Sequence, residues 1–211
     1  MFLSSGFSPS LYPRTRSQPQ MVVGDGFSLV CVGGVTNGGK TSLTTKLRRR
    51  FPHLKYINQD DFFLKPDDPR HVWVENSEFR SQNWEIPESV DFQALKQKVI
   101  DLTRSGEELP YRLIVLEGHL LYADPHVVKW SDLNYFFTLT REQCWERRKE
   151  RVYDPPDPPG YFDAIVFPEY LKLKGFVDQN IANVEYIDGS ADQSEVCDRV
   201  ANSINQLLKL E

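Results

Sequence analysis

The sequence predicts a three-layer α/β fold with a parallel sheet at its centre, and three observations carry that prediction. Short apolar runs recur along the chain, as expected of strands buried on both faces; they alternate with longer segments of helical period; and the first run leads into Gly34-Val35-Thr36-Asn37-Gly38-Gly39-Lys40-Thr41, which fits G-x-x-x-x-G-K-[ST]. That last pattern is the phosphate-binding P-loop. Its chemistry needs these residue types: glycines let successive backbone N–H groups converge on phosphate oxygens, and the helix that follows turns its positive end to the same point. Lys40 is then placed to reach the β and γ phosphates, with the Thr41 hydroxyl as a Mg²⁺ ligand.

The elements follow in order. Phe27 to Val32 is the first strand, and Leu43, Leu47 and the basic Arg48-Arg49-Arg50 describe a helix with an inner stripe and a cationic last turn. Leu54 to Asn58 is a second strand ending in Gln59-Asp60-Asp61-Phe62-Phe63. Carboxylates at the carboxyl end of a strand beside a P-loop face the ligand crevice of an open sheet, where one can hold Mg²⁺ through water or accept a hydroxyl proton. Alone, such a pair serves equally well as a turn cap; the P-loop context favours the crevice. From Leu64 to Pro87 the chain is polar, broken by Pro66, Pro69 and Pro87, with Trp73, Phe79 and Trp84 interspersed, and is expected to be a lid or substrate loop.

Asp91 to Arg104 has the spacing of a helix, and Leu113 to Leu116 is a third strand stopping at Glu117-Gly118. Glu117 stands where P-loop enzymes put a second Mg²⁺-directed carboxylate, its alternative being a strand-ending acid facing water. Asn134 to Leu139 is a fourth strand, and Arg141 to Val152 a charged helix on which Arg147 and Arg151 share a face while Arg148 is turned by roughly 100°. Tyr153 to Tyr161 holds four prolines and is expected to form a stiff lid loop. Ala164 to Ile181 is helical, Val184 to Ile187 a fifth strand, and Val196, Val200, Ile204, Leu207 and Leu208 line the closing helix.

The 211 residues suit one core, with 40% hydrophobic and 26% charged residues. A net charge of −5 argues against nucleic acid as partner, since no basic surplus is there to neutralise a phosphate backbone. Cys31, Cys144 and Cys197 lack metal or disulfide spacing and are expected to be reduced thiols of a cytoplasmic protein. No run approaches the ~18 apolar residues of a membrane span. Residues 1–24, rich in Ser, Pro and Gln with Arg14 and Arg16 and no acid, are expected to be a disordered extension to a kinase domain at 25–211. A mitochondrial targeting segment, or a start at Met21, remains an alternative for them.

Taken together, Gly34-Val35-Thr36-Asn37, Gln59-Asp60-Asp61-Phe62-Phe63, Glu117-Gly118, Arg151-Val152-Tyr153, Pro155-Pro156-Asp157 and Pro159-Gly160-Tyr161-Phe162-Asp163 make the chain resemble the nicotinamide riboside kinase family, within the P-loop nucleoside and nucleoside-monophosphate kinases. The resemblance runs from Leu29 onward. It implies a five-stranded parallel sheet with a lid, ATP and Mg²⁺ as cosubstrate and cofactor, and phosphorylation of the 5′-hydroxyl of nicotinamide riboside to nicotinamide mononucleotide; a monomer is expected, though the sequence itself does not reveal the oligomeric state. It assigns proton removal to Asp60; Mg²⁺ to Thr41, Asp60 and Glu117; and ATP to Gly34 through Ser42 with Arg147, Arg151, Val152 and Tyr153. The substrate falls to Asp60, Asp61, Phe62, Phe63, Trp84, Glu85, Arg148, Tyr153 and Asp154, with Trp84 and Tyr153 sandwiching the base and Arg148 on the ribose. The family pattern is Tyr-Asp where this chain has Trp84-Glu85, which bears on substrate choice more than on reaction class. A uridine-type kinase and a non-catalytic nucleotide-binding adaptor are the alternative functions.

Overall fold

The computed structural model describes residues 26–210, so the expectations for residues 1–24 lie outside the described residues. Five strands form one sheet in the order β2-β5-β1-β6-β7, and every pairing in it is parallel. They are β1 (Ser28–Gly34), β2 (Lys55–Asn58), β5 (Leu113–Glu117), β6 (Leu133–Thr138) and β7 (Val184–Asp188). A separate antiparallel hairpin pairs β3 (Trp73–Glu75) with β4 (Arg80–Gln82).

Side chains alternate across a strand, and here both faces are apolar. On one face Leu29, Cys31, Ile114, Leu116 and Phe136 pack with Leu95 and Val99 of α2 (Phe92–Thr103) and with Leu173 and Val177 of α5 (Phe167–Asn180). On the other, Val30, Val32, Leu113, Val115, Tyr135 and Phe137 meet Leu43 and Leu47 of α1 (Lys40–Arg50) and Val196, Val200 and Ile204 of α6 (Gln193–Leu208). Helices on both faces of a parallel sheet give the three layers the sequence predicts. The crevice lies beyond the carboxyl ends of β1, β2 and β5, where Gly34, Asn58 and Glu117 stand. A short helix, α3 (Pro125–Trp130), is capped by Asp124 and was not anticipated.

Two segments differ from expectation. Residues 64–87 are a packed excursion with regular structure: Phe79 is buried in a cluster with Val35, Leu139 and Tyr161, and the Tyr161 hydroxyl donates to Gln82 O at 3.0 Å while accepting the Trp84 N–H at 3.1 Å. Three-residue strands fall below the length at which alternation is readable, which hid the hairpin. The charged helix α4 (Arg141–Arg148) ends four residues early. Arg151 N–H closes a tighter turn onto Arg148 O at 2.9 Å, and Pro155 and Pro156 supply no donors to continue the ladder. Arg151, Val152 and Tyr153 therefore belong to the loop.

Candidate active site

β1 delivers the chain into the loop through Gly34, whose φ of 107° lies in the left-handed region. A Cβ there would stand 2.2 Å from Phe137 O, so the close passage of β1 against β6 requires glycine. α1 then begins after Gly39 with no side-chain cap and no acid in its first turn. Its first N–H groups and positive end are left facing the crevice, the arrangement that binds anions. Lys40 Nζ donates to Val35 O at 2.7 Å and Gly34 O at 3.1 Å, folded back over its own loop. Burial lowers the Lys40 pKa, and the negative charges of Asp60, Glu117 and Glu85 work against that shift.

Glu117, 3% exposed at the end of β5, is the hub of a hydrogen-bond cluster. Its Oε1 accepts the Thr41 hydroxyl, and its Oε2 accepts those of Thr44 and Tyr56, each at 2.6 Å. A threonine hydroxyl that donates to a carboxylate keeps its lone pairs for a cation. Asp60 opens the turn after β2, its N–H capped by Asn58 Oδ1 at 3.1 Å and its side chain 53% exposed on the cleft wall. Desolvation raises its pKa, Lys40 pulls it down, and Glu117 adds to the rise.

The opposite wall is built around Arg148, whose side chain is 5% exposed. Its guanidinium grips Asp157 at two points, 2.8 and 3.1 Å, reaches Thr36 Oγ1 at 3.0 Å, and meets Glu85 Oε1 at 3.5 Å. Burial opposes the charge, but Asp157 and Glu85 outweigh it and the pKa rises. Arg147 donates to Asn37 O and Gly189 O, Arg151 to Asn37 Oδ1, and Asn37 to the Tyr153 hydroxyl. Three groups from α4 and the loop after it thus converge on one P-loop residue. The cleft they enclose measures about 870 Å³.

With this geometry in view, relatives decide the family. Over 193 residues the chain is 35% identical to Nicotinamide riboside kinase 2 of Homo sapiens, covering 85% of this chain and 82% of that protein. It is 31% identical over 193 residues to Nicotinamide riboside kinase 1 of Rattus norvegicus, covering 86% and 95%. The chain belongs to the nicotinamide riboside kinase family. No family model matches it. Among solved structures, an unliganded sugar kinase from Janibacter sp. HTCC2649 superposes with a TM-score of 0.57 at 12% identity, over 85% of this chain and 95% of that one, which speaks for the P-loop kinase fold alone.

Most of the expected site residues line this family member's cleft: Thr36 through Ser42, Asp60, Phe63, Trp84, Glu85, Glu117, Arg147, Arg148, Arg151, Tyr153 and Asp154. Gly34 and Val35 lie beneath it and serve through their carbonyls. Three residues do not face it. Val152 is 93% exposed, Asp61 is exposed, and Phe62 packs against the core beside α2. The sandwich of a base between Trp84 and Tyr153 also meets an obstacle, because the guanidinium carbons of Arg148 and Arg151 lie 4.3 and 5.2 Å from the Tyr153 ring centroid. That ring already serves the protein's own cations. Trp84 is braced edge-on by Phe63 at 5.6 Å and His71 at 4.5 Å.

Sequence reasoning missed Thr44, Tyr56, His119 and Asp157, as well as Gly189, Ser190 and Gln193 on the wall near Arg147. Thr44 is one helical turn beyond Thr41, and that spacing alone was a usable signal. Tyr56 and His119 depend on which strands are neighbours, and no local pattern carries that. Oxygen donors from Thr41, Asp60 and Glu117 suit a hard cation such as Mg²⁺. Among the described residues, no cluster of three or more His, Cys, Asp or Glu side chains could hold a metal ion by itself.

Proposed function

We propose that the chain transfers the γ-phosphoryl group of ATP to the 5′-hydroxyl of nicotinamide riboside, yielding nicotinamide mononucleotide and ADP. The observation that carries this reading is that one cleft joins the Lys40–Thr41 cradle and Asp60 to Trp84, Glu85 and Arg148. Lys40 leaves the Gly34 and Val35 carbonyls and turns to the phosphates, so its ammonium exchanges two hydrogen bonds to neutral carbonyls for contacts with charged phosphate oxygens. Asp60 accepts the 5′-hydroxyl proton as the hydroxyl oxygen bonds to phosphorus and the bond to the β-phosphate oxygen breaks. Thr41, Asp60 and Glu117 would hold Mg²⁺, which when bound offsets the charge of the phosphates. Arg147 and Arg151 close over the P-loop through Asn37 and exclude water from the transfer.

On the acceptor side Glu85 and Arg148 take the ribose hydroxyls, and Trp84 offers its face to the fixed positive charge of the pyridinium ring. The same reading takes the enzyme to be a cytoplasmic monomer with Cys31, Cys144 and Cys197 as free thiols. Among the described residues no helix is long and apolar enough to cross a membrane. The deciding experiment measures ADP formed from Mg-ATP by purified protein across a panel of nucleosides. Nicotinamide riboside should give the highest kcat/KM; a preference for uridine or cytidine would replace this reading, and ADP release indifferent to any nucleoside would leave only nucleotide binding.

A further inference from the structure

Between Asp60 and Glu85 stands a side chain to which the chemistry above gives no task. His119 follows Glu117 and Gly118, and the backbone on both sides of it is pinned by Gln59. A Cβ on Gly118 would stand 2.4 Å from the Gln59 Cβ, and Leu120 N–H donates to Gln59 Oε1 at 3.1 Å. The ring leans on Phe63, with centroids 5.8 Å apart, and is thereby aimed across the acceptor side of the cleft.

Its two nitrogens face two carboxylates unequally. Nδ1 is 3.9 Å from Asp60 Oδ1, whereas Nε2 is 3.4 Å from Glu85 Oε2. Nε2 is buried and makes no hydrogen bond of proper geometry. A buried nitrogen left unpaired is costly, so its direction calls for a reason. Glu85 is equally unfinished: its side chain is 10% exposed, and its other oxygen lies 3.5 Å from Arg148, whose shorter bonds go to Asp157 and Thr36. A glutamate also carries one more rotor than an aspartate, and that rotor must be held if the carboxylate is to meet a sugar in one orientation.

We propose that His119 is a specificity-determining positioning residue, whose Nε2 steers the Glu85 carboxylate onto the ribose so that Glu85 and Arg148 together select a sugar with vicinal hydroxyls. This rests on the riboside kinase reading. A proton on Nε2 suffices, whether the ring is neutral or charged. Bound ribose draws the carboxylate into place, and the 3.4 Å approach shortens into a hydrogen bond.

The test compares kcat and KM for a riboside and its 2′-deoxy analogue in the parent, His119→Phe, His119→Gln and His119→Asn, with a thermal melt of each. His119→Phe should raise the riboside KM about tenfold, change kcat by less than about threefold, and lower the ribose-over-deoxyribose ratio about tenfold, the behaviour of a site that loses a hydroxyl contact. The glutamine amide nitrogen falls where Nε2 was and should restore most of the ratio, whereas asparagine reaches only the Nδ1 position and should not. Combined with Glu85→Ala, His119→Phe should add nothing further. An unchanged ratio in His119→Phe, or rescue by asparagine in place of glutamine, overturns the proposal. If the phenylalanine variant does not fold, the comparison of glutamine with asparagine carries the same decision. A parent that phosphorylates no riboside overturns the functional reading and this inference together, while an active parent with an indifferent His119→Phe overturns this inference alone.

Discussion

Tyr56 and Glu117, on the paired strands β2 and β5, share a 2.6 Å hydrogen bond on the same carboxylate oxygen that takes the Thr44 hydroxyl. Burial and the adjacent carboxylate push the Tyr56 phenol pKa up, so it remains a donor at any working pH. Tyr56→Phe leaves a buried carboxylate one donor short and should cost about 1 to 2 kcal/mol of unfolding free energy in urea titration. It should also weaken Mg²⁺-dependent ATP binding measured by calorimetry, because Glu117 loses part of its support. Parent-like values in both measurements would leave Tyr56 a bystander.

Lys40 and Asp60 should separate binding from chemistry. Lys40→Ala removes a charge that touches phosphate in ground and transition states alike, so ATP affinity and turnover fall together. Asp60→Asn should keep ATP binding while kcat falls by ~10² to 10⁴, the usual loss for a general base. Near-normal turnover in Asp60→Asn would take proton removal away from this residue.

The raised pKa of Asp60 sets a direction for the pH profile. A base acts only when deprotonated, so kcat/KM should be lost as pH falls through a value above the ordinary 3.8 of an aspartate. Arg151 is one of the charges that hold this pKa down. Arg151→Gln should therefore move the acid limb further up, and a limb that stays in place or moves down belongs to another group.

Trp84, braced by Phe63 and His71, is the aromatic face left for a cationic base. Trp84→Leu keeps apolar area but loses the ring quadrupole, an interaction of about 0.5 to 2 kcal/mol. The loss in kcat/KM should be several-fold larger for nicotinamide riboside than for an uncharged nucleoside. Equal losses would assign Trp84 to shape only.

Among the five sheet strands β5 was the plainest, because a strand buried on both faces is written as an unbroken apolar run, Leu113 to Leu116; the edge strands β2 and β7 mix polar with apolar residues and are only partly buried. The P-loop was legible because its requirement is local, a few residues long and dominated by glycine. What stayed hidden depends on contacts between distant segments. Tyr56 meets Glu117 only because β2 lies beside β5, although β1 comes first in the chain. His119 matters only because a turn 34 positions earlier brings Glu85 within reach. Arg147 and Arg151 both reach Asn37 although the helix ends early, because the turn after Arg148 carries Arg151 back to the P-loop; the shared helical face expected of them is not what joins them.

Gly189, just past β7, passes so near the P-loop that a Cβ there would stand 2.4 Å from Gly38 O, and Arg147 is bonded to both sides of that seam. The phosphate cradle is thus moulded from outside by a residue some 150 positions downstream. A fragment ending before β7 would keep every letter of the nucleotide signature and lose the wall that gives the signature its shape, so the motif and the cradle are not the same thing: one is local in the chain, the other is assembled across it.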